Sequence, residues 1–367
     1  MKKKVVFLVS NLNVGGLETY LLRFLQCSHF KFDEIAVVCK QGLGGELENE
    51  YSSYFNVSIK FLRLSYFNVF GYFKFFFFLK SFNPISVCDF TGDFAGLTLY
   101  ASKKANVPNR LVFYRDSKYQ FRITRFKRLY IFFLKKLLGL SATRYLSNSV
   151  EAFNYFHPQW AEAERSRYRV IYNGVPAFPP GFRRSAFRSK LGFKKSDFII
   201  GHVGSYRSAK NHSVIVDVAA FLVKKIPEVK FLLVGKDVES GLSERLTKEG
   251  LTNHFFLPGN QKDVVNYLSV MDVFLFPSLN EGQPNALIEA QLAGIPIVAS
   301  DIPTIKESTP SVVSPYLHPP LDADLFSQSI LSIYADGCIY DVEDVSSWAK
   351  TEFDPSSRFS EFLQELV

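Results

Sequence analysis

Pro277-Ser-Leu-Asn-Glu-Gly-Gln-Pro-Asn-Ala-Leu-Ile-Glu-Ala-Gln-Leu-Ala-Gly-Ile-Pro-Ile-Val-Ala-Ser300 reads as strand end, glycine loop, short helix and buried strand. Pro284 suits the first helical turn, where a missing N–H costs nothing. Gly294 suits the position just past the helix, where a positive φ is wanted. The backbone N–H groups of Gly282, Gln283 and Asn285 are then expected to point out of a helix N-terminus, a place that attracts anions. Glu281 stands in the loop and Glu289 in the helix, with seven residues between them. An anion site flanked by two carboxylates fits a molecule with phosphate at one end and hydroxyls at the other. A nucleotide-sugar is such a molecule.

The pattern extends in both directions. Upstream, Asp197-Phe-Ile-Ile-Gly-His-Val-Gly204 predicts a strand ending in glycine, followed by a helix over Ser213–Lys225. Further strands are expected at Lys230–Val234, Phe255–Leu257, Val273–Pro277 and Ile295–Ser300. Gly204, Gly235, Gly259 and Gly282 all fall at strand ends, where open parallel sheets bind ligands. The first half repeats the theme: strand Lys4–Ser10, the turn at Gly15-Gly16, a helix from Leu17 to about Leu25, and strands at Glu34–Cys39, Ser86–Cys88, Arg110–Phe113 and Arg144–Ser147. Alternating strands and helices predict an α/β chain with two doubly wound parallel sheets. Turn residues crowd Tyr168–Gly181, so the expected domains are 1–176 and 177–345. Residues 346–367 form a helical tail.

Length and composition set the bounds. The 367 residues suit two domains, and 47% hydrophobic content is that of an ordinary soluble protein. Most of the 38 phenylalanines are expected in core or interface. Cys27, Cys39, Cys88 and Cys338 lack metal or disulfide spacing, which points to a reduced cytosolic compartment. The Met-Lys-Lys-Lys start runs into Val5–Val9, an apolar run too short for a signal peptide. Phe75–Leu79 is far below the ~20 residues of a membrane span. The net charge of +8 draws the protein to acidic partners. Arg122–Lys136 mixes cations with aromatic and aliphatic residues at near-helical spacing, as a helix lying on an anionic membrane does. Nucleic-acid motifs are absent.

Chemistry centres on a few side chains. Lys210 and Arg207 follow the strand end at Gly204 and could neutralise a diphosphate leaving group without a metal. Glu289 faces inward on a helix otherwise apolar at Leu287, Ile288 and Leu292, and the vicinal hydroxyls of a ribose would satisfy it. Gly15 and Gly16 allow close approach of backbone to ligand. The six histidines show no paired ligand spacing. Asp322-Ala-Asp324 is better explained as a helix cap than as a metal motif. No metal site and no cofactor are expected, the nucleotide-sugar being a substrate.

With these residues in place, the chain resembles the retaining glycosyltransferases of family 4, of the bacterial polysaccharide-assembly type. The resemblance is carried by Glu281 through Asp301, by Gly15-Gly16 with Glu18, by Val170–Val175, by His202-Val-Gly204 with Lys210-Asn-His212, and by Leu233-Val-Gly235. It implies the GT-B fold, two Rossmann-like domains facing a central cleft, with the tail crossing back to the first domain. It also implies that Lys210 binds the donor diphosphate, Glu289 the ribose, and Glu281 the diphosphate-sugar region. Gly204, Ser205, Gly235, Pro258, Gly282, Gln283, Pro284, Asn285, Ala286 and Leu287 would surround the donor, with Gly15 and Gly16 at its diphosphate. Two departures stand out. Ser205 occupies the place of a usual arginine, and whether Arg207, two positions on, serves the same phosphate is left open by the sequence. Asp89, Asp93, Arg115 and Asp116 occupy the stretches where the family places histidines, and are acceptor-side candidates.

The expected activity is transfer of a hexosyl or N-acetylhexosaminyl unit, with retention and without a metal, from a nucleoside-diphosphate sugar to a lipid-linked or growing glycan. A UDP-sugar is favoured as donor and a GDP-sugar admitted. The expected location is cytoplasmic or peripheral on the inner face of the plasma membrane. The rivals are a nucleotide-sugar epimerase of similar fold and a non-catalytic glycan- or membrane-binding relic.

Overall fold

The computed structural model describes residues 2–65, 68–119, 121, 123–159, 165–178 and 184–367. The chain forms two compact units, one of Met1–Gly174 with Pro355–Val367 and one of Val175–Asp354.

The first unit holds seven strands: β1 (Lys4–Val9), β2 (Glu34–Cys39), β3 (Val57–Phe61), β4 (Ser86–Asp89), β5 (Asn109–Tyr114), β6 (Arg144–Ser147) and β7 (Tyr168–Val170). All pair in parallel, in the order β3-β2-β1-β4-β5-β6-β7. Both faces of this sheet are covered, which is why β1 reads as an unbroken apolar run. Val5, Phe7 and Val9 enter one core and Val6 and Leu8 the other, with the period of two that a strand imposes. Helix α1 (Gly16–Ser28) closes the first face through Tyr20, Leu21, Phe24 and Leu25. Helices α2 (Val69–Phe82), α3 (Gly96–Lys104) and α4 (Arg125–Ser141) pack in succession over the second. Asn68 caps α2 by accepting from the Gly71 N–H at 3.1 Å, and Thr124 caps α4. Arg122, expected in the basic helix, lies outside the described residues.

The second unit holds β8 (Phe198–Val203), β9 (Val229–Val234), β10 (Phe255–Phe256), β11 (Val273–Phe276), β12 (Ile297–Ser300) and β13 (Leu317–His318). These too are parallel, in the order β10-β9-β8-β11-β12-β13. Helices α5 (His212–Leu222), α6 (Asn285–Leu292) and α7 (Val342–Glu352) belong to this unit. Asp322 accepts from the Leu325 N–H at 3.1 Å and caps the helix that follows it.

In each sheet the strand order reverses once, between β1 and β4 and between β8 and β11. At such a switch point the connections leave in opposite directions and open a crevice at the carboxyl ends of the strands. Gly15-Gly16 follows β1, Asp89 ends β4, Lys210 follows β8 and Glu281 follows β11.

Three strands lie outside the expected set. β3 and β7 are edge strands with half-exposed residues, and β13 has only two residues, so none presents an apolar run. The return to the first unit begins at Pro355 rather than at residue 346. Helix α7 instead packs on α6, where Ser346 Oγ donates to the Leu292 carbonyl at 3.1 Å. Only α8 (Pro355–Leu366) joins the first unit, with Phe359, Phe362 and Leu366 in the α1-side core.

Candidate active site

Lys210 ends a short 3-10 turn, Ser208–Lys210, just before α5. Asn211 follows in the left-handed region at φ 54°, which asparagine tolerates better than most residues. Its side-chain amide donates to the carbonyls of Pro277 at 3.1 Å and Pro320 at 2.6 Å. The Leu279 N–H donates to the Ala209 carbonyl at 2.8 Å. These bonds stitch the loop after β8 to the loop after β11. As a result Lys210 Nζ lies 2.6 Å from Glu281 Oε1. Both side chains are largely buried, at 20% and 10% exposure. The lysine stem crosses Gly204, and its head stands 4.8 Å from the centre of the Phe276 ring.

Two buried histidines back this pair, His202 and His212, and no metal-ligand spacing marks them in the sequence. The His202 and His212 rings meet edge to face at 5.0 Å. His202 Nδ1 donates to the Leu275 carbonyl at 3.0 Å. Burial, then His212, holds His202 well below its ordinary range, with Lys210 adding to the effect. Burial and the Lys210 charge push His212 down to about 4. Both rings are therefore neutral near pH 7, and Lys210 is the cation they surround. The signal was present in the sequence, since both histidines stand in the matched segments 202–204 and 210–212.

The start of α6 differs from expectation in one respect. Pro284 is the N-cap rather than the first helical residue, and the Asn285 N–H donates to the Gln283 carbonyl at 3.0 Å. Gly294 takes φ +67° just past the helix. Glu289 is half-buried one turn beyond Asn285, and Leu287 is in the core.

Ser205, Arg207, Gly235 and Pro258 lie at the carboxyl ends of the second unit's strands, whereas Gly15 and Gly16 belong to the first unit. Ser205 and Pro258 are half-buried, and Arg207 is exposed at the start of the 3-10 turn. Gly235 has a packing reason of its own: a Cβ there would come within 2.0 Å of the Gly204 carbonyl oxygen. Gly15 is the extended N-cap of α1, and Gly16 has open space around it. A surface hollow lined by Phe193, Lys194, Pro227 and Asn253 lies at the amino ends of this sheet, the wrong end for a ligand in a doubly wound fold.

The four first-unit candidates separate clearly. Asp89 is buried and accepts from Lys40 Nζ at 2.9 Å, Thr98 Oγ1 at 2.5 Å, and the Thr91 N–H and Oγ1 at 2.9 and 2.7 Å. Asp93 accepts from the hydroxyls of Tyr114, at 2.7 Å, and Tyr119, with Lys135 Nζ at 3.5 Å. Carboxylates so fully engaged hold the framework and have little left for a ligand. Arg115 lies with its guanidinium 3.8 Å from the centre of the Tyr20 ring, and burial pushes it down to about 10. Asp116 is exposed.

Two parallel α/β sheets, each with one order reversal, are the architecture of the GT-B fold. Residues 183–350 match the family described as Glycosyl transferases group 1. The chain is 28% identical over 309 residues to the capsular polysaccharide biosynthesis glycosyltransferase CapH of Staphylococcus aureus, covering 82% of this chain and 81% of that one. It is 34% identical over 140 residues, 36% of each chain, to the Escherichia coli UDP-Gal:alpha-D-GlcNAc-diphosphoundecaprenol alpha-1,3-galactosyltransferase. In fold it is similar to Anabaena HepE, solved with UDP and glucose, at TM-score 0.82 and 20% identity over 99% of both chains. These findings support a GT-B glycosyltransferase with relatives in polysaccharide biosynthesis. They do not favour an epimerase.

Proposed function

We propose that this chain transfers a sugar from a nucleoside-diphosphate donor to a hydroxyl of a lipid-linked or growing surface glycan, with retention of anomeric configuration. The observation that carries the proposal is the Lys210–Glu281 pair, 2.6 Å apart at the switch point of the second sheet. The UDP named for HepE and the UDP-Gal named for the E. coli relative support a UDP-sugar, with a GDP-sugar as the other choice.

In this reading Lys210, joined by Arg207, neutralises the departing diphosphate, and the open end of α6 adds its dipole. Glu289 holds the ribose hydroxyls and Glu281 the diphosphate-sugar region. The bond from the anomeric carbon to phosphate oxygen breaks while the acceptor oxygen bonds to the same face of that carbon. The leaving phosphate oxygen takes the acceptor proton. No side chain need act as nucleophile, and no metal or cofactor is invoked. On the acceptor side, Arg115 and Asp116 are retained as candidates, and the location proposed is the cytoplasmic face of the plasma membrane.

A panel of UDP- and GDP-sugars incubated with an undecaprenyl-diphosphate sugar acceptor tests this, with the product's anomeric configuration read by NMR. Lys210→Ala is expected to lower turnover at least about a hundredfold. Near-normal turnover would remove Lys210 from the mechanism, and an inverted product would remove the same-face step.

A further inference from the structure

Helices α2 and α4 each carry two apolar stripes. The inner ones, Phe75 and Leu79 on α2 and Ile131, Leu134 and Leu138 on α4, are buried. The outer ones are Phe70, Phe73 and Phe77 on α2 and Phe126, Phe132 and Phe133 on α4. These six are between 50% and 88% exposed. A surface helix needs one apolar stripe to join a core. A second, made of large aromatic residues, marks a contact surface. Because α2, α3 and α4 pack in succession over one face of the first sheet, the outer stripes belong to one side of that unit.

Charge on this side is of one sign. The three helices contain nine lysines and arginines and no aspartate or glutamate. The whole chain has 43 basic and 35 acidic residues, so its entire positive excess resides here. The cations stay close to the rings: Lys136 Nζ is 4.8 Å from the Phe132 centroid, Lys127 Nζ 4.7 Å from Phe121, and Lys104 Nζ 5.5 Å from Tyr100. Long aliphatic stems can lie along apolar surface there while the heads reach outward.

We propose that the α2–α3–α4 face docks on an anionic bilayer, with the phenylalanines entering the acyl boundary and the lysines and arginines meeting lipid phosphate. Rings and cations together, without acids, are the composition of a helix surface that lies in the membrane interface. An acidic protein would answer the cations and leave the rings unexplained. No helix among the described residues is long and apolar enough to cross a membrane, so the contact is with the surface. The proposal deepens the reading of a lipid-linked acceptor and rests on it for its purpose, whereas the binding itself requires no transfer.

Sedimentation of the full chain with phosphatidylcholine vesicles, and with equal parts phosphatidylglycerol and phosphatidylcholine, tests it. Binding is expected to be at least about tenfold tighter to the anionic vesicles and to weaken with salt. The triple variant Phe70→Ser/Phe73→Ser/Phe77→Ser should bind about tenfold more weakly with the same salt slope. Arg125→Gln/Lys127→Gln/Arg128→Gln should weaken binding and flatten that slope. Phe55→Ser, equally exposed but elsewhere in the unit, should change nothing. Hydrogen exchange on the unaltered protein gives an independent reading: added vesicles should protect residues 69–82 and 125–141. Equal binding to both vesicle types, an α2 variant that binds like the unaltered chain, or absence of that protection would overturn the proposal. Transfer to a soluble acceptor, measured alongside, keeps a failed membrane contact distinct from a failed catalytic reading.

Discussion

Lys210 Nζ and Glu281 Oε1 lie 2.6 Å apart although 71 positions separate the residues in sequence. The loops that carry the pair are tied independently of it, by the Asn211 side-chain amide on the Pro277 carbonyl and by the Leu279 N–H on the Ala209 carbonyl. In the proposed mechanism Glu281 shares its lysine with the donor diphosphate, so an anion entering the site meets a competing carboxylate.

Glu281→Gln removes that competitor and keeps the shape. UDP alone should bind this variant about three- to tenfold more tightly, a difference of roughly 1 kcal/mol. Sugar transfer should fall at least about tenfold, because the carboxylate no longer orients the sugar. Calorimetry with UDP and a turnover assay with the matched donor read the two effects. Weaker UDP binding by the variant would show that Glu281 does not oppose the diphosphate.

Gly204 and Gly235 look equivalent as strand-end glycines, and the structure gives them different reasons. A Cβ on Gly235 would strike the Gly204 backbone, with 2.0 Å to its oxygen and 2.5 Å to its carbon. Gly235→Ala should therefore cost about 3 kcal/mol of stability. A Cβ on Gly204 would lie 3.0 Å from His202 Nε2 and 3.1 Å from Lys210 Cδ, side-chain atoms rather than backbone. Gly204→Ala should stay within about 1 kcal/mol of the parent by urea unfolding and lower turnover about tenfold by displacing the lysine head. The reverse ranking in stability would contradict the loop packing.

The sequence made the sheets legible where strands are buried on both faces, as at β1, β2, β8 and β9, because burial writes itself as an unbroken apolar run. Edge strands β3 and β7 left no such run. The pairing of Lys210 with Glu281 could be anticipated from their places after β8 and β11, the two strands that flank the reversal. Saturation of Asp89 and Asp93 could not, because their partners Lys40, Tyr114 and Tyr119 come from other segments with no spacing rule. Nor could the outward phenylalanines of α2 be read, since a helix with phenylalanine on every side does not declare which side meets the sheet.

Stability should respond to mild acid. His212 and His157 are each pushed down to about 4, chiefly by burial, and His202 is held lower than its ordinary range for the same reason. Native histidines stay neutral while an unfolded chain takes up protons below about pH 6.5. Their contribution is thus complete above that pH, declines as pH falls toward 4, and is lost once the native rings protonate. Linkage puts each of the first two at up to roughly 3 kcal/mol. Urea midpoints should hold steady from pH 8 to 7 and drop between 6.5 and 5, where ordinary carboxylates are still ionised. His212→Gln should make that drop shallower by about one proton, and an unchanged slope would show that His212 does not contribute to it.

Asp89 offers a test that separates framework from acceptor. Removing its carboxylate by Asp89→Ala leaves Lys40 Nζ, now 2.9 Å from Asp89 Oδ2, without its counter-charge in a largely buried place. The expected loss is about 3 kcal/mol. At a temperature where the variant remains folded, the acceptor KM should match the parent. A raised KM with unchanged stability would return Asp89 to the acceptor side.

Phe362 tests how far the first unit depends on residues from the far end of the chain. Its ring lies 4.8 Å from that of Phe24 and 5.4 Å from that of Phe113, so a side chain from α8 fills the space between α1 and the sheet. Phe359 adds a contact at 5.5 Å to Tyr20, the ring beneath Arg115. Phe362→Ala should cost about 3–5 kcal/mol, because the cavity opens inside a core with little freedom to collapse. Deleting residues 355–367 should cost more and also loosen Arg115 by releasing Tyr20. Hydrogen exchange would localise the effect to α1 and β5, and a truncated chain with full protection there would show that this core closes without α8.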